Sequence, residues 1–133
     1  MRVVRRVTVL STAALCAVVG LGAAMSWSMA EDEAVEAQHT IKEVMKIAHG
    51  KDSNLLKKVI QGEASADEKK QLLDLYISLV EGKPSKGDMD SWHTLAGGAA
   101  LAAAKVVVGR EGALKELETA TNCKACHSVH KGE

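Results

Sequence analysis

The segment that begins Ser65-Ala66-Asp67-Glu68 decides the fold class, because it matches the S-x-x-E capping box that starts a helix. Apolar residues then recur at helical spacing until a glycine stop. They are Leu72, Leu73, Tyr76, Leu79 and Val80, followed by Gly82. No stretch of the chain alternates strictly between apolar and polar residues, as a half-buried strand would. The sequence therefore predicts an all-α protein.

Helical periodicity continues on both sides of this segment, with glycines and the single proline, Pro84, as breaks. The other predicted helices span about 32–49, 53–61 (a short piece), 88–109 and 111–131. The inward stripe of the first is predicted as Ala34, Gln38, Ile41, Met45 and Ala48. That of the 88–109 helix is predicted as Trp92, Leu95, Ala99, Ala103 and Val106. Four main helices with short links are typical of an antiparallel four-helix bundle.

Residues 94–104, in the middle of the 88–109 helix, carry no charge and include many alanines and glycines. Eleven residues are too few to span a membrane, which takes about 20. Small side chains allow the close approach either of another helix or of a flat ligand. The sequence alone leaves both interpretations open.

Residues 1–30 read as a signal peptide, because Arg2, Arg5 and Arg6 precede an uncharged run that ends at Ser28-Met29-Ala30, a small-x-small cleavage site. Export by the general secretory route to the periplasm is the expectation. An uncleaved membrane anchor is the alternative, since the apolar run is close to the length of a membrane span. The mature chain, residues 31–133, is predicted to be one small domain.

The composition of that mature chain narrows its function. It has 103 of the 133 residues, with 14 basic against 17 acidic ones and a formal charge of −3, which gives no indication of nucleic-acid binding. Phe is absent, and Trp92 and Tyr76 are the only aromatic residues that remain. A buried flat cofactor would supply the missing apolar bulk. Once Cys16 is removed, the chain keeps two cysteines, which is too few for a disulfide framework.

Both remaining cysteines belong to the pentad Cys123-Lys124-Ala125-Cys126-His127. C-x-x-C-H is the attachment signature of a c-type haem: the two thiols add to the two vinyl groups of one porphyrin, and the histidine supplies an axial nitrogen to the iron. On a helix, positions i, i+3 and i+4 share one face. Cys123, Cys126 and His127 are therefore predicted to hold one covalent haem c on the core side of the last helix.

Four other interpretations are weaker. A thioredoxin-like dithiol belongs near a βαβ pattern, which this chain lacks. A zinc site made of Cys123, Cys126, His127 and His130 would crowd four ligands into eight residues of one helix. A disulfide between the two cysteines would close too short a loop to stabilise the fold much. A metal-free helical binding module would carry no pigment at all.

The sixth iron position decides what a haem does here, and Met45 on the first helix is the leading candidate. A thioether is a soft, neutral ligand that raises the reduction potential. Met45 could equally well only pack in the core, as methionines commonly do. His49, one turn further on, is the alternative sixth ligand. His130 follows His127 too closely to reach the opposite face, so a propionate edge or solvent is its expected environment.

With these features the mature region resembles the class II c-type cytochromes, meaning cytochrome c-prime and its low-spin, methionine-ligated relatives. The pentad lies near the C-terminus, Lys131 follows His127 by four residues, and the segment Glu43-Val44-Met45-Lys46 lies in the first helix. The resemblance implies thioethers at Cys123 and Cys126, His127 as proximal ligand and Met45 as sixth ligand. The chain departs from the family in having His130 where an aromatic residue is usual. It also lacks the first-helix arginine near the propionates, for which Lys42 or Lys46 could substitute.

The function that this resemblance implies is that of an exported, monohaem electron carrier rather than an enzyme. It would exchange single electrons with redox partner proteins through weak, transient docking. In cytochrome c-prime itself the iron is five-coordinate, so a protein that binds nitric oxide or carbon monoxide is the alternative. Class II relatives often form homodimers, and Ile41, Leu72 and Leu79 could serve either a dimer contact or the core.

Overall fold

The computed structural model describes residues 36–132, which fold into six α-helices. The helices are α1 (Ile41–His49), α2 (Leu55–Ile60), α3 (Ala66–Glu81), α4 (Met89–Val107), α5 (Ala113–Ala120) and α6 (Cys123–His130). Between residues 36 and 132 there is no strand, and the predicted all-α class is confirmed for this part of the chain. No helix there is both long and apolar enough to cross a membrane. The predicted signal peptide, residues 1–30, lies outside the described residues.

Side-chain caps set the start of α3 and of α1. The Ser65 hydroxyl accepts from the backbone N–H of Glu68, and the Glu68 carboxylate accepts from that of Ser65 at 2.8 Å, so the predicted capping box is confirmed. Thr40 and Glu43 form a second capping box. This box starts α1 at Ile41, whereas periodicity alone had predicted a start at about residue 32; residues 36–40 are not helical.

The core forms mainly where α3 packs on α4, with α1, α2 and α5 packed around this pair. Its largest fully buried apolar side chains are Tyr76, Leu72, Leu75, Leu117, Val44 and Val59. On α1 the predicted stripe is confirmed at Ala48, which is buried, but Ile41 and Met45 are only half-buried and the other buried residue is Val44, which was not predicted. From the sequence, Leu72 and Leu79 could belong either to the core or to a dimer contact. Both are buried in the core.

The predicted last helix, 111–131, is wrong as a single element, because the chain leaves the helix after Ala120 and starts a new one at Cys123. The Thr121 hydroxyl donates to the Leu117 carbonyl and so helps to satisfy the end of α5. The side-chain oxygen of Asn122 accepts from the backbone N–H groups of Lys124 and Ala125, both at 3.1 Å. Asn122 therefore acts as the N-cap of a separate α6.

His130 fastens the far end of α6, so of its two expected environments, a propionate edge or solvent, the second is wrong. Its side chain is buried, and Nδ1 lies 3.0 Å from the carbonyl oxygen of Lys86. Because a carbonyl only accepts, Nδ1–H donates this bond. Nε2 lies 3.1 Å from the Ser91 hydroxyl, and the ring meets Trp92 edge-on at a centroid distance of 5.3 Å. These contacts tie α6 to the start of α4.

Gly87 makes room for this fastening. Its φ is +85°, and a Cβ built on it would lie 2.7 Å from Cε1 of His130 and closer still to Nδ1. Gly62 has a similar φ of +76°, but a Cβ there would meet nothing within 4 Å. Substitutions at the two glycines can therefore be compared to distinguish the cost of backbone strain from the cost of losing the His130 contacts.

We expect Gly87→Ala to destabilise the protein by roughly 3 kcal/mol, because it adds a clash with His130 to the cost of a positive φ. The matched control Gly62→Ala should cost roughly 1 kcal/mol, since only the backbone conformation is penalised. Urea unfolding of the two variants and the wild type measures both values. Equal losses would show that His130 does not need the space at Gly87.

Candidate functional site

The four predicted site residues line one cavity of about 340 Å³, between α1, α3, α4 and α6. Met45 reaches it from α1, whereas Cys123, Cys126 and His127 reach it from α6. A larger cavity of about 1300 Å³ shares Met45, Cys126 and His127 with the first. Ligand pockets commonly have volumes of roughly 300–1,000 Å³, so the space beside the pentad suits a large ligand.

Within α6 the pentad takes the spacing that its chemistry requires, with Cys123, Cys126 and His127 along one helix and all on the cavity wall. Cys126 is half-buried and packs against the core, whereas Cys123 and His127 are exposed. Part of the cavity therefore opens at the surface. The three side chains are accessible to a bulky planar group.

One wall of the cavity is formed by α4, where three of the lining residues are small: Ala96, Gly98 and Ala99, next to Leu95. A Cβ built on Gly98 would meet nothing within 4 Å, so no neighbouring helix lies against this position. Further along α4, Ala102 and Ala103 are buried in the core. Ala96 and Ala99 are buried as well, so the segment packs in the core along its length, while the open space beside Gly98 is compatible with the ligand role that the sequence also allows.

His49 and Tyr76 form the inner wall of the same cavity. Their rings stack with centroids 5.8 Å apart, and the Tyr76 hydroxyl lies 3.4 Å from Nε2 of His49. Burial, and secondly the nearby His127, lower the pKa of His49. Burial, and secondly Cys123, raise the pKa of Tyr76. Both side chains are therefore neutral near pH 7, as an apolar ligand site requires.

Cys126 does not have the lowered pKa of a catalytic thiol. Both cysteines of the pentad are free thiols. Burial raises the pKa of Cys126, and the neighbouring Cys123 adds to this effect. Catalytic thiols of oxidoreductases have lowered pKa values, because the thiolate is the reacting form.

The zinc interpretation also finds no support in the geometry. His130, one of its four proposed ligands, has both ring nitrogens engaged, with Lys86 and Ser91. Within the described range 36–132, no group of three or more His, Cys, Asp or Glu side chains converges as metal ligands do. A c-type haem needs only one protein nitrogen and two thiols from this helix, and those residues fit it.

Lysines from three separate segments line the larger cavity: Lys42 of α1, Lys83 of the loop after α3, and Lys131 after α6. None of the three forms an ion pair within the described part of the chain. Lys46, the other residue considered as a propionate partner, is exposed and lines neither cavity. Carboxylate groups of a ligand would find their positive partners at this rim.

The sequence analysis missed the pairing of Tyr76 with His49, because these residues lie 27 positions apart and carry no joint motif. A partial signal was the shortage of aromatic residues: Tyr76 and Trp92 both line the cavity. Comparison with protein-family models, with curated proteins and with solved structures finds no match. The candidate site is therefore defined by its geometry and by the pentad.

Proposed function

We propose that this chain is an exported, monohaem c-type cytochrome of the class II kind that carries single electrons outside the cytoplasm. The observation that carries the proposal is the convergence of Cys123, Cys126, His127 and Met45 on one cavity from two helices far apart in sequence. The proposal includes periplasmic localisation after removal of residues 1–30. It assigns the protein a carrier role, without enzymatic activity.

Each of these residues has a distinct role in the proposal. Cys123 and Cys126 form the thioether bonds, and His127 supplies the proximal nitrogen. Met45 supplies the sixth ligand, and its soft, neutral sulfur favours the reduced state. When bound, haem c supplies a reversible one-electron change at its iron.

The proposed architecture is an antiparallel four-helix bundle whose main helices are α1, α3, α4 and the α5–α6 segment. The extensive packing of α3 on α4, and of α4 on α5, supports this arrangement. In such bundles, cofactor sites are built from side chains on facing helices. The face of α6 that carries the pentad would then serve as the haem-attachment surface.

Exposure of the pentad suits a carrier. Cys123 and Lys124 are both exposed, so a porphyrin edge held there would lie near the surface. Redox partner proteins can dock over such an edge through a small, transient contact and exchange electrons. The proposal includes no nucleic-acid partner. It includes a possible homodimer, in which the half-buried Ile41 would contribute to the contact between the two copies.

A second candidate function is the binding of small gases such as nitric oxide or carbon monoxide at an open iron face. The larger cavity favours it, because about 1300 Å³ of space continues beyond Met45 and His127. In this alternative Met45 packs against the core, with which its half-buried side chain is in contact. Whether Met45 ligates iron separates the two functions.

Covalent haem attachment should depend on the pentad. We expect Cys123→Ala/Cys126→Ala to abolish haem staining on a denaturing gel after expression with a cytochrome maturation system, because no thiol remains to form a thioether. The matched control Cys16→Ser should retain full staining, since that cysteine belongs to the signal segment. A wild-type protein without covalent pigment would instead favour the metal-free helical module.

Ligation by Met45 should be visible in absorption spectra. We expect Met45→Ala to convert a low-spin reduced spectrum to a high-spin one, to lower the reduction potential, and to turn a slight carbon monoxide response into a nearly complete one. Met89→Ala is the matched control, because Met89 packs against the core but lines neither cavity. If the Met45 variant kept the wild-type spectrum, the gas-binding alternative or another sixth ligand would have to replace this assignment.

A further inference from the structure

Two side chains of α1 could supply a sixth ligand from the same direction. Met45 and His49 are one turn apart, and both line the 340 Å³ cavity that His127 also lines. Imidazole nitrogen and thioether sulfur both bind haem iron, but they set different reduction potentials. A carrier that relies on Met45 therefore needs something to keep His49 from the iron.

The hydrogen bond between Tyr76 and His49 meets this need. Tyr76 is fully buried, and within residues 36–132 its hydroxyl has no hydrogen-bond partner other than Nε2 of His49, at 3.4 Å. A buried hydroxyl needs an acceptor for its proton. A neutral imidazole has one acceptor nitrogen, so the Tyr76 O–H donates to the Nε2 lone pair of His49.

This arrangement leaves His49 without a free lone pair. With Nε2 accepting from Tyr76, the proton of the neutral ring lies on Nδ1. The stacked rings, with an interplanar angle of 21°, hold the imidazole against α3 in this orientation. Met45 has no comparable hydrogen bond within the described chain, so its sulfur is available.

We propose that Tyr76 is a positioning residue that selects the sixth ligand: its hydroxyl holds Nε2 of His49, and Met45 is left as the ligand on that side of the cavity. The inference rests on the proposed function, since it concerns the same haem site. It assigns to a buried tyrosine, on a helix that carries no ligand, control over the reduction potential.

Tyr76→Phe tests this role, because phenylalanine keeps the ring and its stacking while removing the hydroxyl. In the matured haem protein we expect low-spin iron with a nitrogen ligand in place of sulfur, seen in electron paramagnetic resonance spectra, and a downward shift of the reduction potential. Tyr76→Phe/His49→Leu should restore sulfur ligation and bring the potential back towards the wild-type value. His49→Leu alone should leave ligation by Met45 unchanged.

The outcomes separate this inference from the proposed function. Covalent haem with identical spectra and potential in wild type and Tyr76→Phe would contradict the role of Tyr76 alone. A Tyr76→Phe spectrum that changes but is not restored by His49→Leu would contradict it as well, because the effect would not pass through His49. A wild-type protein without covalent haem would overturn the proposed function itself.

Discussion

The burial of His130 is the interaction on which the geometry of the candidate site depends. It is the only buried residue of α6, so the helix that carries the pentad has little apolar surface to fix it. Its two ring nitrogens are bonded to Lys86 and Ser91, and Gly87 leaves room for the ring. At the other end of the helix, Asn122 caps the first turn. The hydrogen bonds of His130, together with the packing of the half-buried Cys126 against the core, thus orient α6, and the Asn122 cap fixes where it starts.

Trp92 connects this fastening to the cavities. Its ring packs edge-on with His130 and lines both cavities, while Nε1–H donates to the buried Leu79 carbonyl at 2.8 Å. The indole is thus held by α3 and in turn supports the end of α6. His130 itself lines the larger cavity, and a displacement of its ring would reach the smaller cavity through Trp92. This is a physical reason for keeping a tryptophan in a chain with so few aromatic residues.

The parts of the fold that were predictable from sequence are those set by local signals. A capping box and a glycine stop placed α3 within a residue of its true bounds, because caps act over three or four positions. Periodicity predicted the wrong start for α1 and missed the break between α5 and α6, because it shows which residues could share a face and does not show where a helix begins. Thr40 and Asn122 are the N-caps that start these helices. The sequence alone did not show that capping at these two residues would prevail over an apolar pattern that continues past them.

The candidate site likewise has a part that was predictable from a local motif and a part that was not. Three of its four proposed haem-binding residues were predictable from one pentad, because the C-x-x-C-H spacing itself indicates haem attachment. The groups around them come from distant segments: Tyr76 meets His49 across 27 positions, and His130 meets Ser91 across 39. Such contacts have no sequence motif, because they arise only when helices pack. Yet they hold α6 in place and engage Nε2 of His49, so under the proposed function the choice of sixth ligand would depend on tertiary structure.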